Sequence, residues 1–148
     1  MDNATKAAVL EILGTVPDMT IATMREDGYP QATTVSFVND GLTIYFGTGA
    51  QSQKAHNIGR NDKVSLTVNC TYRSWEEIKG LSLAGTARQV TDASEAQHVG
   101  QLMFAKFPQI GRFVSTDAGD LTLFRVTPSV VYLLDYSKGF GHTERFVV

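Results

Sequence analysis

Residues 45–68 read YFGTGAQSQKAHNIGRNDKVSLTV, and this stretch decides the fold that the sequence predicts. Its residue types predict the end of a strand, a turn of small residues over 47–50, a short helix over 52–58 and a new strand over 64–68. The glycines of the turn let the backbone bend sharply and approach a ligand closely. Gly59 is expected to end the helix. The stretch is therefore a strand–turn–helix–strand unit whose turn is suited to ligand binding.

Lys54 lies in the first turn of this predicted helix, where the partial positive charge of the helix N-terminus disfavours another cation. A bound anion would remove the conflict, because free backbone N–H groups, the hydroxyls of Thr48 and Ser52 and the Lys54 ammonium would converge on it. Phosphate is the natural candidate. The alternative is that Lys54 points into water and the hydroxyls only cap the helix. A short motif on its own favours that alternative, because such motifs recur by chance.

The composition is that of one ordinary globular domain. The chain has 148 residues, enough to bury a continuous core, so we expect a single domain over 1–148. A hydrophobic content of 43% and a charged content of 19% indicate neither disorder nor a membrane protein. The net charge of −2 argues against a nucleic-acid partner bound through a broad basic face.

The expected location is the cytoplasm. The single cysteine, Cys70, cannot form an internal disulfide, which fits a reducing compartment. No apolar run approaches the length of a transmembrane helix, and the N-terminus lacks the apolar core of a signal peptide. We therefore expect no membrane partner.

The residues before the opening stretch predict a helix followed by an antiparallel meander. The predicted elements are an amphipathic helix over 4–13 and strands over 19–24, 31–38 and 42–46. The pairs Asp27-Gly28 and Asp40-Gly41 between the strands supply the positive φ angles of hairpin turns. Strands joined in this way pair with their neighbours in sequence.

The residues after the opening stretch predict more strands and one long helix. The predicted elements are a strand over 81–90 with a bulge or close approach at Gly85, a helix over about 93–107, a further helical turn over 109–114 and strands over 121–126 and 129–135. Residues 72–79 and the tail from Ser137 receive no element. Six or seven antiparallel strands predict a mainly β fold, a barrel with peripheral helices.

The common signatures of catalytic and metal sites are missing from the sequence. The three histidines have no ligand-type spacing and Cys70 has no C-x-x-C partner, so no zinc site is expected. There is no G-x-S-x-G elbow, Walker A loop or G-x-G-x-x-G fingerprint. Glu76 and Glu77 are neighbours and would point in different directions. We therefore assign no catalytic residue, and if the protein is an enzyme we expect a cofactor to supply the chemistry.

The segment from Met19 to Val90 resembles the FMN-binding split-barrel family typified by pyridoxamine 5'-phosphate oxidase. The resemblance is carried by GYPQATTVSFV, by the pattern T-x-x-x-S-x-K followed by A-H-N-I in the opening stretch, and by GLSLAGTARQV. It covers about half of the chain well. It implies an antiparallel split β-barrel of about six or seven strands with a few peripheral α-helices, and FMN as the cofactor.

The resemblance also implies which residues bind FMN. The family's phosphate-binding positions correspond to Thr48, Ser52, Gln53 and Lys54. Gln53 stands where the oxidase often has arginine, so one phosphate cation is missing. The strand that runs along the isoalloxazine ring corresponds to Thr33, Thr34, Val35 and Ser36. The alternative for that strand is that its threonines are simply good β formers.

The family implies a homodimer with two flavin sites at the subunit interface. Phe140 and His142 in the tail would then approach the flavin from the partner chain or shape its substrate side, and Trp75 would stack on the pocket or wall it. The alternative is that Trp75 covers the end of the barrel and the tail seals the dimer seam.

The sequence departs from the oxidase where that enzyme binds its substrate. The Arg-Pro-Arg segment for the substrate phosphate has no counterpart, since residues 105–113 read AKFPQIGRF, and Lys106 and Arg112 do not reproduce the spacing. The prediction is therefore an FMN-binding oxidoreductase with an unassigned small-molecule electron donor or acceptor, and not a true pyridoxamine phosphate oxidase.

Three alternatives to this function stay open at the level of sequence. A deazaflavin-dependent reductase would use a cofactor that also carries a phosphate. A non-catalytic flavin-binding or stress-response protein would store or sense FMN. A haem-binding protein would need His142 or His56 as an axial ligand.

Overall fold

The computed structural model describes residues 1–113 and 120–148. Its helices are α1 (Asn3–Thr15), α2 (Gln53–Arg60) and α3 (Ala93–Lys106). Its strands are β1 (Asp18–Met24), β2 (Pro30–Ser36), β3 (Val38–Asp40), β4 (Thr43–Gly49), β5 (Lys63–Asn69), β6 (Lys79–Gln89), β7 (Leu121–Asp135) and β8 (Thr143–Val147). Short 3-10 turns span Trp75–Glu77, Pro108–Arg112 and Tyr136–Lys138.

The strands form one antiparallel sheet that curls into a barrel. Its order is β2-β1-β5-β6-β7-β4-β3, with β8 pairing on β7. The two ends of this order, β2 and β3, are separated in the chain only by Phe37, which is fully buried. One segment therefore pairs with β1 through its first half and with β4 through its second. The fold is a mainly β split barrel with peripheral helices, as the sequence predicts.

The core fills the interior of the barrel because alternate side chains point inward. On β1 the buried side chains are Met19, Ile21 and Thr23, spaced by two as a half-buried strand requires. Phe46 and Phe124 stack at the centre with ring centroids 5.4 Å apart. Helix α1 adds Val9, Ile12 and Leu13 to the same cluster.

Several predicted boundaries are corrected by the structure. The strand predicted over 31–38 is broken at Phe37, because the chain changes strand partners there. The helix predicted to stop at Gly59 continues through it to Arg60, and Asn61 caps it by donating its N–H to the Asn57 carbonyl at 2.9 Å. Gly59 has no positive φ, so the left-handed stop that glycine favours is not used.

The two strands predicted around Thr127-Pro128 are a single strand, β7. Proline removes a ladder donor, but Pro128 lies opposite Gly85, where the register with β6 shifts between Ala84 and Gly85. A Cβ on Gly85 would collide with the carbonyl oxygen of Thr127. The close approach predicted for Gly85 is confirmed, and it explains how β7 continues through the proline.

The tail and the turn after α3 also differ from the sequence prediction. The tail contains β8, which the sequence analysis did not predict and which pairs with residues 130–134 of β7. The helical turn predicted over 109–114 is a 3-10 turn over Pro108–Arg112, and Val114 lies outside the described residues. Among the described helices, none is long and apolar enough to cross a membrane.

Candidate functional site

The turn between β4 and α2 is fixed by its own hydrogen bonds. Ser52 is the N-cap of α2, and its Oγ accepts the Ala55 N–H at 3.1 Å. The Thr48 hydroxyl donates to the same Oγ at 3.0 Å. At the other side of the turn, the Ala50 N–H donates to the Asp120 carbonyl at 2.6 Å. The hydroxyls of Thr48 and Ser52 are therefore held side by side at the start of the helix.

Lys54 lies beside these hydroxyls in the first turn of α2. It is half-buried, on the same helix face as the buried residues Asn57 and Ile58. Burial lowers the pKa of the Lys54 ammonium. In the described part of the chain, no carboxylate pairs with it and the first turn holds no acidic residue. A half-buried cation without a counter-ion at a helix N-terminus is costly, and an anion bound there would stabilise it.

Asn57 anchors α2 to the barrel, and the sequence analysis missed it. Its side chain is fully buried, and its Nδ2 donates to Thr23 Oγ1 at 3.0 Å and to Gln31 Oε1 at 3.2 Å. Its Oδ1 accepts from Gln53 Nε2 at 2.8 Å. The sequence did contain a signal for this role, because the carboxamide of Asn57 lies on the same helix face as the hydrophobic Ile58. This network fixes the orientation of α2 and thereby the position of Lys54.

The network also decides where Gln53 points. Its amide nitrogen is committed to Asn57, and the side chain is exposed. The structure therefore places Gln53 next to the turn but directs its donor towards Asn57. Its predicted contact with a phosphate remains a prediction.

The four predicted residues of β2 are divided between its two faces. Thr33 and Val35 face the barrel interior, opposite the buried Ile21 and Met19, yet both are half-exposed. The inward face of β2 is therefore partly open to solvent, and we call this open face the cleft. Among the described strands, β2 pairs with β1 alone, so its other edge leaves backbone N–H and C=O groups available to a ligand.

The outward residues of β2 have partners on β1. Thr34 Oγ1 lies 3.4 Å from Thr20 Oγ1, and the Ser36 hydroxyl donates to Asp18 Oδ1 at 3.3 Å. A groove of about 300 Å³ lies between this strand and β4, because Val35, Ser36 and Gly47 all line it. The structure thus brings β2 to the same groove as the part of β4 that leads into the turn before α2.

Trp75 and Phe140 lie at the other end of the barrel. They are 66% and 79% exposed, and their ring centroids are 5.8 Å apart. They lie near Asp135 at the end of β7, whereas Thr48 pairs with Thr122 at its beginning. Most of the length of β7 therefore separates the two positions. Within one chain, the two aromatic residues do not belong to the site around Lys54.

The histidines do not form a ligand set in the structure. His142 Nε2 is buried without a hydrogen-bond partner in the described part of the chain, and it lies 3.7 Å from Glu144 Oε2. His56 is exposed on α2, and His98 pairs with Asp40 at 2.9 Å. Among residues 1–113 and 120–148, no three His, Cys, Asp or Glu side chains are grouped to hold a metal.

A larger groove of about 730 Å³ lies between α2 and the ends of β6 and β7. Its arginines each have a carboxylate partner. The pairs are Arg60 with Glu26 at 3.7 Å, Arg88 with Asp62 at 3.2 Å and Arg125 with Glu95 at 2.6 Å. This groove therefore offers no cation as free as Lys54, and the turn before α2 is the better anion site.

A sequence profile described as pyridoxamine 5'-phosphate oxidase matches residues 5–135, which is most of the chain. The chain therefore belongs to the pyridoxamine 5'-phosphate oxidase family. The resemblance carried by the opening stretch is thereby confirmed. No curated protein sequence matches the chain significantly.

Solved structures share the fold at low sequence identity. A protein from Listeria innocua, assigned provisionally as a pyridoxamine 5'-phosphate oxidase, superimposes with a TM-score of 0.72 at 21% identity, covering 88% of this chain and 98% of its own. A conserved hypothetical protein from Mycobacterium tuberculosis gives 0.76 at 23% identity, with coverages of 97% and 91%. A heme-binding protein from Mycobacterium smegmatis gives 0.80 at 15% identity, with coverages of 99% and 58%. These similarities establish the fold alone.

Proposed function

We propose that this protein binds FMN and acts as a flavin-dependent oxidoreductase. The observation that carries the proposal is the half-buried Lys54, which has no counter-ion in the described part of the chain. Thr48, Ser52 and Lys54 form what we call the phosphate cradle. The Ser52 hydroxyl, the Lys54 ammonium and the N–H groups that precede Ala55 at the start of α2 would donate to a phosphate, and the Thr48 hydroxyl would orient Ser52 through the hydrogen bond that it donates to Ser52 Oγ.

The isoalloxazine ring would lie in the cleft along β2, next to the cradle. The open edge of β2 offers backbone donors and acceptors to the ring, and Thr33 and Val35 offer it a partly apolar surface. A bound flavin would supply the electron transfer. The chain's own residues would bind its phosphate, orient its ring and exclude water from one face. The donor or acceptor on the other side of the reaction would be a small molecule.

We also propose a homodimer with a flavin site at each subunit interface. The exposed pair Trp75 and Phe140 supports this arrangement, since exposed aromatic residues that are remote from the cradle within one chain could reach the cradle of a second chain. Trp75 is the only tryptophan, so its fluorescence reports on this contact. We expect a dimer by sedimentation and quenching of Trp75 fluorescence when FMN binds. A monomer, or unquenched fluorescence in the FMN complex, would contradict the arrangement.

Haem is the second candidate ligand, because one structural relative is a heme-binding protein. The candidate axial ligands offer weaker support than the cradle does. His142 Nε2 is buried beside Glu144, and His56 lies exposed on α2 without a supporting partner in the described chain. We therefore favour a phosphate-bearing flavin, and we place the protein in the cytoplasm, where the lone Cys70 would stay reduced.

Absorbance and mass spectrometry of freshly purified protein test the proposal. We expect the bands of oxidised flavin and the mass of FMN. Colourless protein that takes up no added FMN would refute it. A Soret band would indicate haem, and the mass of a deazaflavin would indicate the related reductase. A flavin that reduced nicotinamides do not bleach would point to a storage or stress-response protein.

A further inference from the structure

The groove of about 300 Å³ beside β2 is lined mainly by apolar side chains. Its apolar side chains come from β2, its kink, α3, the turn after α3 and β7, and they are Val35, Phe37, Met103, Phe107, Ile110 and Leu121. Ser36 and Gly47 complete the lining. The Ser36 hydroxyl is committed to Asp18 Oδ1 at 3.3 Å, so it is not a free polar group of the groove.

Lys106 and Arg112 are the cations closest in sequence to the groove residues of α3 and of the turn after it, and neither places its charge in the groove. Lys106 Nζ donates to the Leu13 carbonyl at 3.0 Å and lies 3.9 Å from the centroid of the Phe37 ring. Burial lowers the pKa of Lys106 to about 8, opposed in part by the charge of Asp18. Arg112 is exposed and does not line the groove. In the described part of the chain, no charged side chain lines it.

We propose that this groove binds an uncharged, apolar part of the substrate, so that the substrate class is a small apolar compound without phosphate or carboxylate at that end. This deepens the proposed function and rests on it. A charged group placed there would lose its hydration without gaining a partner. The groove adjoins the proposed flavin site, because Val35 of β2 and Gly47 of β4 both line it and Gly47 directly precedes Thr48 of the cradle. Its volume suits a compound of about two fused rings, at the small end of ligand pockets.

The test compares 2-naphthol with 2-naphthyl phosphate, which share a ring system and differ in charge. Calorimetric titrations use FMN-loaded protein, in which the cradle is occupied, and the Lys54→Ala variant without FMN, in which the cradle lacks its cation. We expect 2-naphthol to bind at least about tenfold more tightly than the phosphate in both samples, because only the phosphate must lose its hydration.

Two variants locate the binding to the groove. Met103→Arg and Ile110→Arg each place a cation in the wall of the groove. Each should weaken the binding of 2-naphthol and strengthen the binding of 2-naphthyl phosphate by about tenfold. Phe104→Arg adds the same charge to the exposed neighbour of Met103, which does not line the groove, and should leave both affinities unchanged. Using both variants guards against one of them failing to fold.

The outcomes separate this inference from the proposed function. Absence of 2-naphthol binding, equal affinities for the two compounds, or affinities that neither groove variant changes would overturn the inference. If the wild-type protein takes up no FMN while Lys54→Ala still prefers 2-naphthol, the flavin proposal fails and the apolar specificity of the groove stands.

Discussion

Two partly buried lysines, Lys54 and Lys106, differ in whether the chain supplies partners for their charge. Burial lowers the pKa of both Lys54 and Lys106. Lys106 has partners, since it donates to the Leu13 carbonyl at 3.0 Å and lies over the Phe37 ring. Lys54 has no such partner in the described part of the chain. Lys106 therefore serves the fold, joining α3 to α1, whereas Lys54 keeps its ammonium unpaired in the described part of the chain, as the proposed phosphate site requires.

The helices that carry these lysines are also anchored differently. Helix α2 is held by the buried Asn57, whose amide reaches two strands. Helix α3 is held at its other end by Glu95, which accepts from Tyr45 at 3.0 Å and from Arg125 at 2.6 Å. Burial and hydrogen bonding to Glu95 raise the pKa of the Tyr45 hydroxyl, so this hydroxyl keeps its proton and remains the donor to Glu95 at neutral pH. Substitution of the anchoring residues should therefore reveal how strongly each helix is held to the barrel.

The largest expected loss of stability comes from Asn57→Ala. The change leaves the buried Thr23 hydroxyl without its donor and opens a cavity, so the free energy of unfolding should fall by about 3 kcal/mol. Urea denaturation measures it. Gln53→Ala is the matched control, because it removes only the exposed end of the network and should cost about 1 kcal/mol or less. Equal losses for the two variants would show that Asn57 does not anchor α2.

Lys106 should impose a pH dependence on stability. Its pKa is about 8 in the folded protein and 10.5 in an ordinary lysine, so between these pH values the unfolded chain binds more protons. The free energy of unfolding should therefore rise with pH in this window, relative to Lys106→Met. The full linkage is at most about 3.4 kcal/mol, and solvent screening of the partly exposed side chain reduces it to about 1–2 kcal/mol. Parallel stability–pH curves for the two proteins would contradict this assignment.

Glu95→Gln should have a smaller effect. The substitution removes the charge that faces Arg125 at a partly buried site, and we expect a loss of about 1 kcal/mol by chemical denaturation. His98→Ala is the control on the same helix, because its exposed pair with Asp40 should contribute about 0.5 kcal/mol or less. A larger loss for His98→Ala would mean that α3 is anchored through β3.

The sequence predicts the fold class, and it predicts that Thr48, Ser52 and Lys54 lie close together because the signals for this arrangement are local. Thr48 lies near the end of β4, Ser52 caps α2 and Lys54 lies in its first turn, so the short spacing brings them together. The break in the strand predicted over 31–38 was missed because it depends on Phe37, where one continuous segment exchanges β1 for β4 as its partner. No residue type in 31–38 indicates that the strand changes its pairing partner at Phe37.

Other features escaped prediction because they depend on distant contacts. The role of Asn57 requires Thr23 and Gln31, which come from strands far away in sequence. The strand β8 needs the open edge of β7 to pair with, and its own residues alternate only weakly in burial. Trp75 and Phe140 were grouped with the flavin by family resemblance alone, and within one chain they lie near the end of β7 that is opposite Thr48.

The central claim is that Lys54 is reserved for a phosphate. The direct measurement is the affinity of the wild-type protein and of Lys54→Ala for FMN and for riboflavin, which lacks the phosphate, with the exposed Lys63→Ala as the control for lost charge. Lys54→Ala removes a charge-assisted contact of about 1.5–3 kcal/mol. The affinity for FMN should therefore fall by roughly 10–100-fold, and the affinity for riboflavin should be nearly unchanged. Lys63→Ala should bind both ligands like the wild type. Equal losses for FMN and riboflavin in Lys54→Ala would contradict the account, because they would show that Lys54 supports the fold and not the phosphate.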